Sequence, residues 1–134
     1  MKTVLLLTTL LLLLPSGTLT RSDEPVPIEV LVKNSLLNDN PVTYRTEVVP
    51  GWILLGAMRK LMDSDVNFKF TYSDDPHYGP FLESVNGLAG KPEDHTYWEL
   101  LVKVPDGNII RPNVGIGCYI PNQNEQIIFN FTKW

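Results

Sequence analysis

One stretch of this chain, Trp52 to Met62, carries a strong helical repeat of apolar residues: Leu54, Leu55, Met58, Leu61 and Met62 recur at three- and four-residue steps. The other apolar segments alternate instead. Ile28, Val30 and Val32 form one such run, and Val42, Tyr44, Thr46 and Val48 a second. Phe68, Phe70 and Tyr72 form a third, followed by Phe81 to Val85, Thr96 to Val104 and Ile127 to Trp134. Alternation with period two is the signature of a half-buried strand. One helix among many short strands predicts an α+β domain, a small, mostly antiparallel β-sheet with one main helix covering a face.

Turn residues separate these runs. Asn38-Asp39-Asn40-Pro41, Pro50-Gly51, Asn86-Gly87 and Pro105-Asp106-Gly107-Asn108 each punctuate the pattern, and Ser73 to His77 and Leu88 to Asp94 read as loops. Gly115, Gly117 and Tyr119 predict an irregular strand with close backbone approach.

The chain opens on Met1-Lys2, an apolar run from Val4 to Leu14, and small residues after Pro15. That order describes a secretory signal peptide over residues 1–20, and the run is shorter than the ~20 residues of a membrane span. The expected product, residues 21–134, is one secreted, extracellular domain preceded by a short lead-in from Arg21 to Pro27. The net charge of −4 and the lack of a basic stripe argue against nucleic acid and anionic membranes as partners. Cys118 is the only cysteine, so no internal disulfide can form. It reads as a small buried hydrophobe, with an intermolecular disulfide or a reactive thiol as alternatives. Asn130-Phe131-Thr132 is a glycosylation sequon. Ile127, Phe129 and Phe131 share the apolar face of the last strand, which would leave Asn130 facing water.

No catalytic arrangement emerges. Asp74, Asp75 and His77 offer one imidazole beside two loop carboxylates, which fits a solvated turn better than a metal site. No glycine-rich phosphate loop opens a helix. The chemistry points to non-covalent binding, because Trp98 and Tyr97 offer aromatic area with a polar handle. Trp98, Leu100 and Val102 share one face of their strand, and Tyr97, Glu99 and Leu101 the other. If Tyr97 and Leu101 face the helix, Trp98 and Leu100 are free to line a groove.

Three segments carry a resemblance: Tyr78-Gly79-Pro80-Phe81-Leu82, Asp94-His95-Thr96-Tyr97-Trp98-Glu99-Leu100-Leu101, and Phe131-Thr132-Lys133-Trp134. They resemble the small C-terminal β-domain of the vitamin B12 carriers, the transcobalamin, intrinsic factor and haptocorrin family. The similarity runs from about Val49 to Trp134, and the first two blocks match in order and spacing. In that family a large helical barrel and this small domain close around cobalamin. The resemblance therefore implies a secreted, non-catalytic protein related to cobalamin binding and transport. It nominates His77, Tyr78, Gly79, Pro80, Phe81 and Leu82, with Trp98, Glu99, Leu100, Leu101 and Val102, as ligand-contacting residues. Tyr78 stands where the carriers often have tryptophan. The segment from Val102 to Val114 is longer than its counterpart, so nothing is carried over beyond Val102. The barrel has no counterpart here, which implies a second subunit or a cell-surface receptor as a further partner. Two other readings stay open: a secreted interaction module that kept the fold but lost the vitamin, and a thiol-dependent enzyme or redox factor using Cys118.

Overall fold

The strand Gln126–Lys133 lies at the centre of the fold, although it is the last element in sequence. The computed structural model describes residues 24–134. The proposed signal segment lies outside the described residues. In chain order the elements are β1 (Val26–Asn34), β2 (Val42–Val48), α1 (Leu54–Ser64), β3 (Phe70–Asp75), β4 (Gly79–Val85) and β5 (Leu88–Ala89). A 3-10 turn (Pro92–Asp94), β6 (Thr96–Lys103), β7 (Ile109–Ile110) and β8 (Gln126–Lys133) follow.

Five strands form one sheet in the order β2-β1-β8-β6-β7, and three form another, β3-β4-β5. Every pairing is antiparallel except β1 with β8, which is parallel. Register fixes the faces. Val30 lies beside Ile127 and Val32 beside Phe129, while Trp98, Leu100 and Val102 oppose Phe131, Phe129 and Ile127. These residues make one apolar face, packed in a single core with Leu54, Leu55, Ala57, Met58 and Leu61 of α1 and with Phe70, Leu82 and Val85 of the second sheet. The helical stripe is thus the buried face, as its spacing predicts.

Of the two faces the alternation leaves open for β6, the one bearing Trp98 is the core face, so the condition that Tyr97 and Leu101 face the helix is not met. Trp98, Leu100 and Val102 point toward the helix side, and Tyr97, Glu99 and Leu101 point away from it. Period two gives two faces, but only the pairing with Phe131, Phe129 and Ile127 says which one is the core.

Two expectations for loops and strands also shift. Ser73 to Asp75 continue β3 rather than starting a loop, with a bulge between Thr71 and Tyr72. Gly115 to Tyr119 form a turn, not a strand; the amides of Cys118 and Tyr119 both donate to the Gly115 carbonyl. This turn caps the helix. Ile53 supplies no side-chain cap, and the first-turn amides of Leu54 and Leu55 instead donate to the carbonyls of Tyr119 (2.7 Å) and Ile116 (2.9 Å).

Asn86-Gly87 forms the expected turn with positive φ at both residues, 51° and 85°. Asn86 also links the sheets. Its Oδ1 accepts from the Lys69 amide and its Nδ2 donates to the Tyr44 hydroxyl, which donates to the Asn67 carbonyl.

Candidate functional site

The β3–β4 hairpin is built to project aromatic rings. Asp75 Oδ1 accepts from the amides of His77 (2.7 Å) and Tyr78 (3.0 Å), so its carboxylate is used in closing the turn. Gly79 then takes a φ of 71°, a conformation glycine adopts without a Cβ penalty. The chain leaves this turn with Tyr78 82% exposed and Phe81 51% exposed, while Leu82 points into the core.

Opposite this hairpin lies the first half of β6. Between them runs a groove of ≈ 520 Å³. Tyr78, Pro80, Phe81 and Leu82 form one wall, and Tyr97, Trp98 and Leu100 another. Asn113 to Ile116, with Cys118, complete it. Among the described residues no acidic or basic side chain lines it. The indole of Trp98 is only 8% exposed, rests at 5.1 Å from the Phe131 ring, and donates through Nε1 to the Leu88 carbonyl at 2.8 Å. Trp98 is therefore both core and groove floor.

The loop wall was not nominated from sequence. Its position depends on Gly117, which packs against the ring of Pro80. The close approach at that glycine is to a proline ring, and the strand expected there is a turn. Cys118 is exposed at the groove margin, so its reading as a buried hydrophobe does not hold.

The two sequence blocks thus meet, though not all their residues do. Tyr78, Pro80, Phe81, Leu82, Trp98 and Leu100 line the groove. Gly79 sets the turn beside it. His77 is exposed on the hairpin tip, its ring 6.4 Å from that of Tyr78. Val102 is fully buried in the core. Glu99 and Leu101 lie on the reverse face of the sheet, where Leu31 and Leu101 flank the buried Ile128.

The reverse face carries a polar network. Asn130 is 6% exposed, which corrects the expectation that it faces water. Its Nδ2 donates to Glu99 Oε1 (3.1 Å), and its Oδ1 accepts from the Ser35 hydroxyl (2.6 Å). Arg111 pairs with the other oxygen of Glu99. Hydrogen bonding to Tyr97, followed by the Glu99 carboxylate, holds the Arg111 guanidinium above its ordinary value. The alternation failed here because the reverse face is covered by this network rather than by water.

A second groove, ≈ 510 Å³, shares Phe81, Leu82 and Tyr97 with the first and is bounded by Gly90, Pro92 and Trp134. The Trp134 ring stacks on His95 at 5.0 Å. Among the described residues no cluster of three or more His, Cys, Asp or Glu side chains could hold a metal ion. No helix among them is long and apolar enough to cross a membrane.

Residues 51–133 match the family described as Domain of unknown function (DUF4430). Cobalamin binding intrinsic factor of Rattus norvegicus is 32% identical over 94 residues, 69% of this chain and 21% of the relative. The Mus musculus protein of the same name is 30% identical, over 86% of this chain and 29% of the relative. Transcobalamin-1 of Homo sapiens is 28% identical, over 84% and 27%. The chain therefore spans less than a third of the length of these relatives. Among solved structures, haptocorrin in complex with Cbi superimposes with a TM-score of 0.70 at 22% identity, covering 86% of this chain and 27% of that one. A protein from Ruminococcus gnavus shares the fold with a TM-score of 0.56 at 12% identity, and there the match covers 98% of the other chain. With the two sequence blocks brought together in a fold shared with haptocorrin, the chain belongs to the DUF4430 family as a transcobalamin-like C-terminal domain.

Proposed function

We propose that this protein is a secreted, non-catalytic cobalamin-binding domain, and that the groove between Tyr78–Leu82 and Trp98–Leu100 receives one side of the corrinoid. The observation that carries this reading is the convergence of the two family-like blocks on one groove without acidic or basic side chains. A large planar ligand with neutral amide arms suits apolar walls bearing a few hydrogen-bonding groups. The groove is open and takes only part of such a ligand. High affinity then requires a second subunit to cover the exposed side, since tight sites bury most of the ligand surface.

Titration of the mature chain with cobalamin, followed by corrin absorbance and tryptophan fluorescence, tests this. Saturable binding near one per chain or one per dimer, weakened at least tenfold by Phe81→Ala, is expected. Phe81 is suited to the test because it is half exposed and outside the core. An unchanged corrin spectrum at high micromolar ligand sinks the reading.

A second reading, an extracellular interaction module, is favoured by the apolar rim formed by Tyr78, Phe81 and Val114.

A further inference from the structure

The main chain of β6 has an open edge facing the groove. The Trp134 amide donates to the His95 carbonyl, so His95 and Trp134 form a hydrogen-bonded pair of the β6–β8 ladder. Alternation along an antiparallel ladder then directs the main-chain groups of Tyr97, Glu99 and Leu101 to β8. It turns those of Thr96, Trp98, Leu100 and Val102 the other way. Two of these four have partners: the Thr96 amide donates to the Lys91 carbonyl, and Val102 pairs with Ile110 of β7. Trp98 and Leu100 have no strand beside them among the described residues.

The opposite wall is another strand with an open side. β5 pairs only with Ser84 and Val85 of β4, leaving Gly79 to Leu82 without a second neighbour. Pro80 has no N–H to offer, so pairing capacity in the groove lies chiefly on β6.

Natural sheets blunt open edges with lysine, proline or a bulge. From Trp98 to Leu101 this edge has none of these, and its register with β8 is unbroken. It presents two N–H and two C=O groups from residues two apart, a spacing of roughly 7 Å. An extended polypeptide repeats its own donors and acceptors at that interval. Among the described residues the groove beside them bears no acidic or basic side chain, so it suits a neutral, apolar segment.

We propose that the groove accepts an extended, uncharged peptide segment of a partner protein, added as a strand to the Trp98–Leu101 edge of β6. The new strand would run along the β6 edge within the groove, with its alternate apolar side chains on the side of Phe81. This inference does not depend on the corrinoid reading, and separate titrations with peptide and with cobalamin keep their failures apart.

The test uses the ¹⁵N-labelled mature chain and acetylated, amidated pentapeptides in which threonine alternates with valine, isoleucine or phenylalanine. At saturation, exchange of the Trp98 and Leu100 amides is expected to slow at least tenfold. The Tyr97 and Glu99 amides, already bonded to β8, should be unchanged. Methylating the alternate peptide nitrogens that face β6 should abolish this protection, and methylating the other set should leave it. Absence of protection with all three peptides at 10 mM, ten times a weak Kd of about 1 mM, overturns the proposal. So does protection that fails to alternate, or that ignores which nitrogens are methylated.

Discussion

The ring of Pro80 occupies the space that a side chain at Gly117 would need. A Cβ there would lie 2.6 Å from both Cγ and Cδ of the proline. This contact holds the loop after β7 against the start of β4 and thereby sets the width of the groove.

Gly117→Ala should therefore destabilise the domain by about 1–3 kcal/mol, the usual cost of overpacking. In thermal unfolding this corresponds to a drop of roughly 5–15 °C for a domain of this size. Pro80→Ala in the same chain should recover part of the loss by removing Cγ and Cδ. An unchanged midpoint in the single variant would refute this account of the loop.

Trp98 and Phe81 should separate stability from surface function. Trp98→Ala removes a buried ring and the bond to Leu88, and is expected to cost about 3–5 kcal/mol. Phe81→Ala should change stability by less than about 1 kcal/mol, because the ring is half exposed. Denaturant unfolding of the two variants checks the ordering, and a reversed order would displace Trp98 from the core.

Asn130 should be unglycosylated in the folded protein. Its Nδ2, the atom a glycan would occupy, donates to Glu99. Intact mass spectrometry of protein secreted from a glycosylating host should show no added sugar on the folded fraction. Asn130→Asp should also destabilise, since it loses that donor and sets a second carboxylate against Glu99; about 1–3 kcal/mol is expected from the lost buried bond alone. A folded fraction carrying the glycan at full occupancy would contradict the buried network.

Tyr119 predicts an alkaline limb in stability. Burial first, and the Glu125 carboxylate that accepts its hydroxyl proton at 2.7 Å second, raise its pKa above the ordinary tyrosine value of 10.0. A raised pKa in the folded state gives stability that is complete below the unfolded value. Above pH ~10 the unfolded chain loses this proton while the folded one keeps it, so stability falls as pH rises further. Tyr119→Phe should flatten that limb while lowering stability at neutral pH. Equal slopes for the two proteins between pH 9 and 11 would remove Tyr119 as its source.

The helix and most of the strands were legible because each has a period of its own. Leu54, Leu55, Met58 and Leu61 needed no partner to reveal a buried face. The meeting of Tyr78–Leu82 with Trp98–Leu100 was legible only through resemblance, since nothing local in either block specifies the other. The inward face of β6 was not legible, because it depends on Phe131, Phe129 and Ile127 across the ladder. The wall from Asn113 to Cys118 was missed for a similar reason. It has no period, and its place is set by Pro80 and by the first-turn amides of α1 that it caps. Its glycines were the one available signal.

β8 completes the main sheet by standing between β1 and β6, and this governs how the domain can be made. A ribosome delivers β1 and β2 long before β8, and the β6–β7 hairpin shortly before it. Until β8 emerges the two hairpins have no common strand, and Ile28, Val30, Trp98 and Val102 lack the residues they pack against. Glu29 must wait for Gln126, a separation spanning most of the described chain. Such high contact order makes folding slow. The unpaired strands formed meanwhile are the form of this protein most exposed to aggregation and to quality-control chaperones.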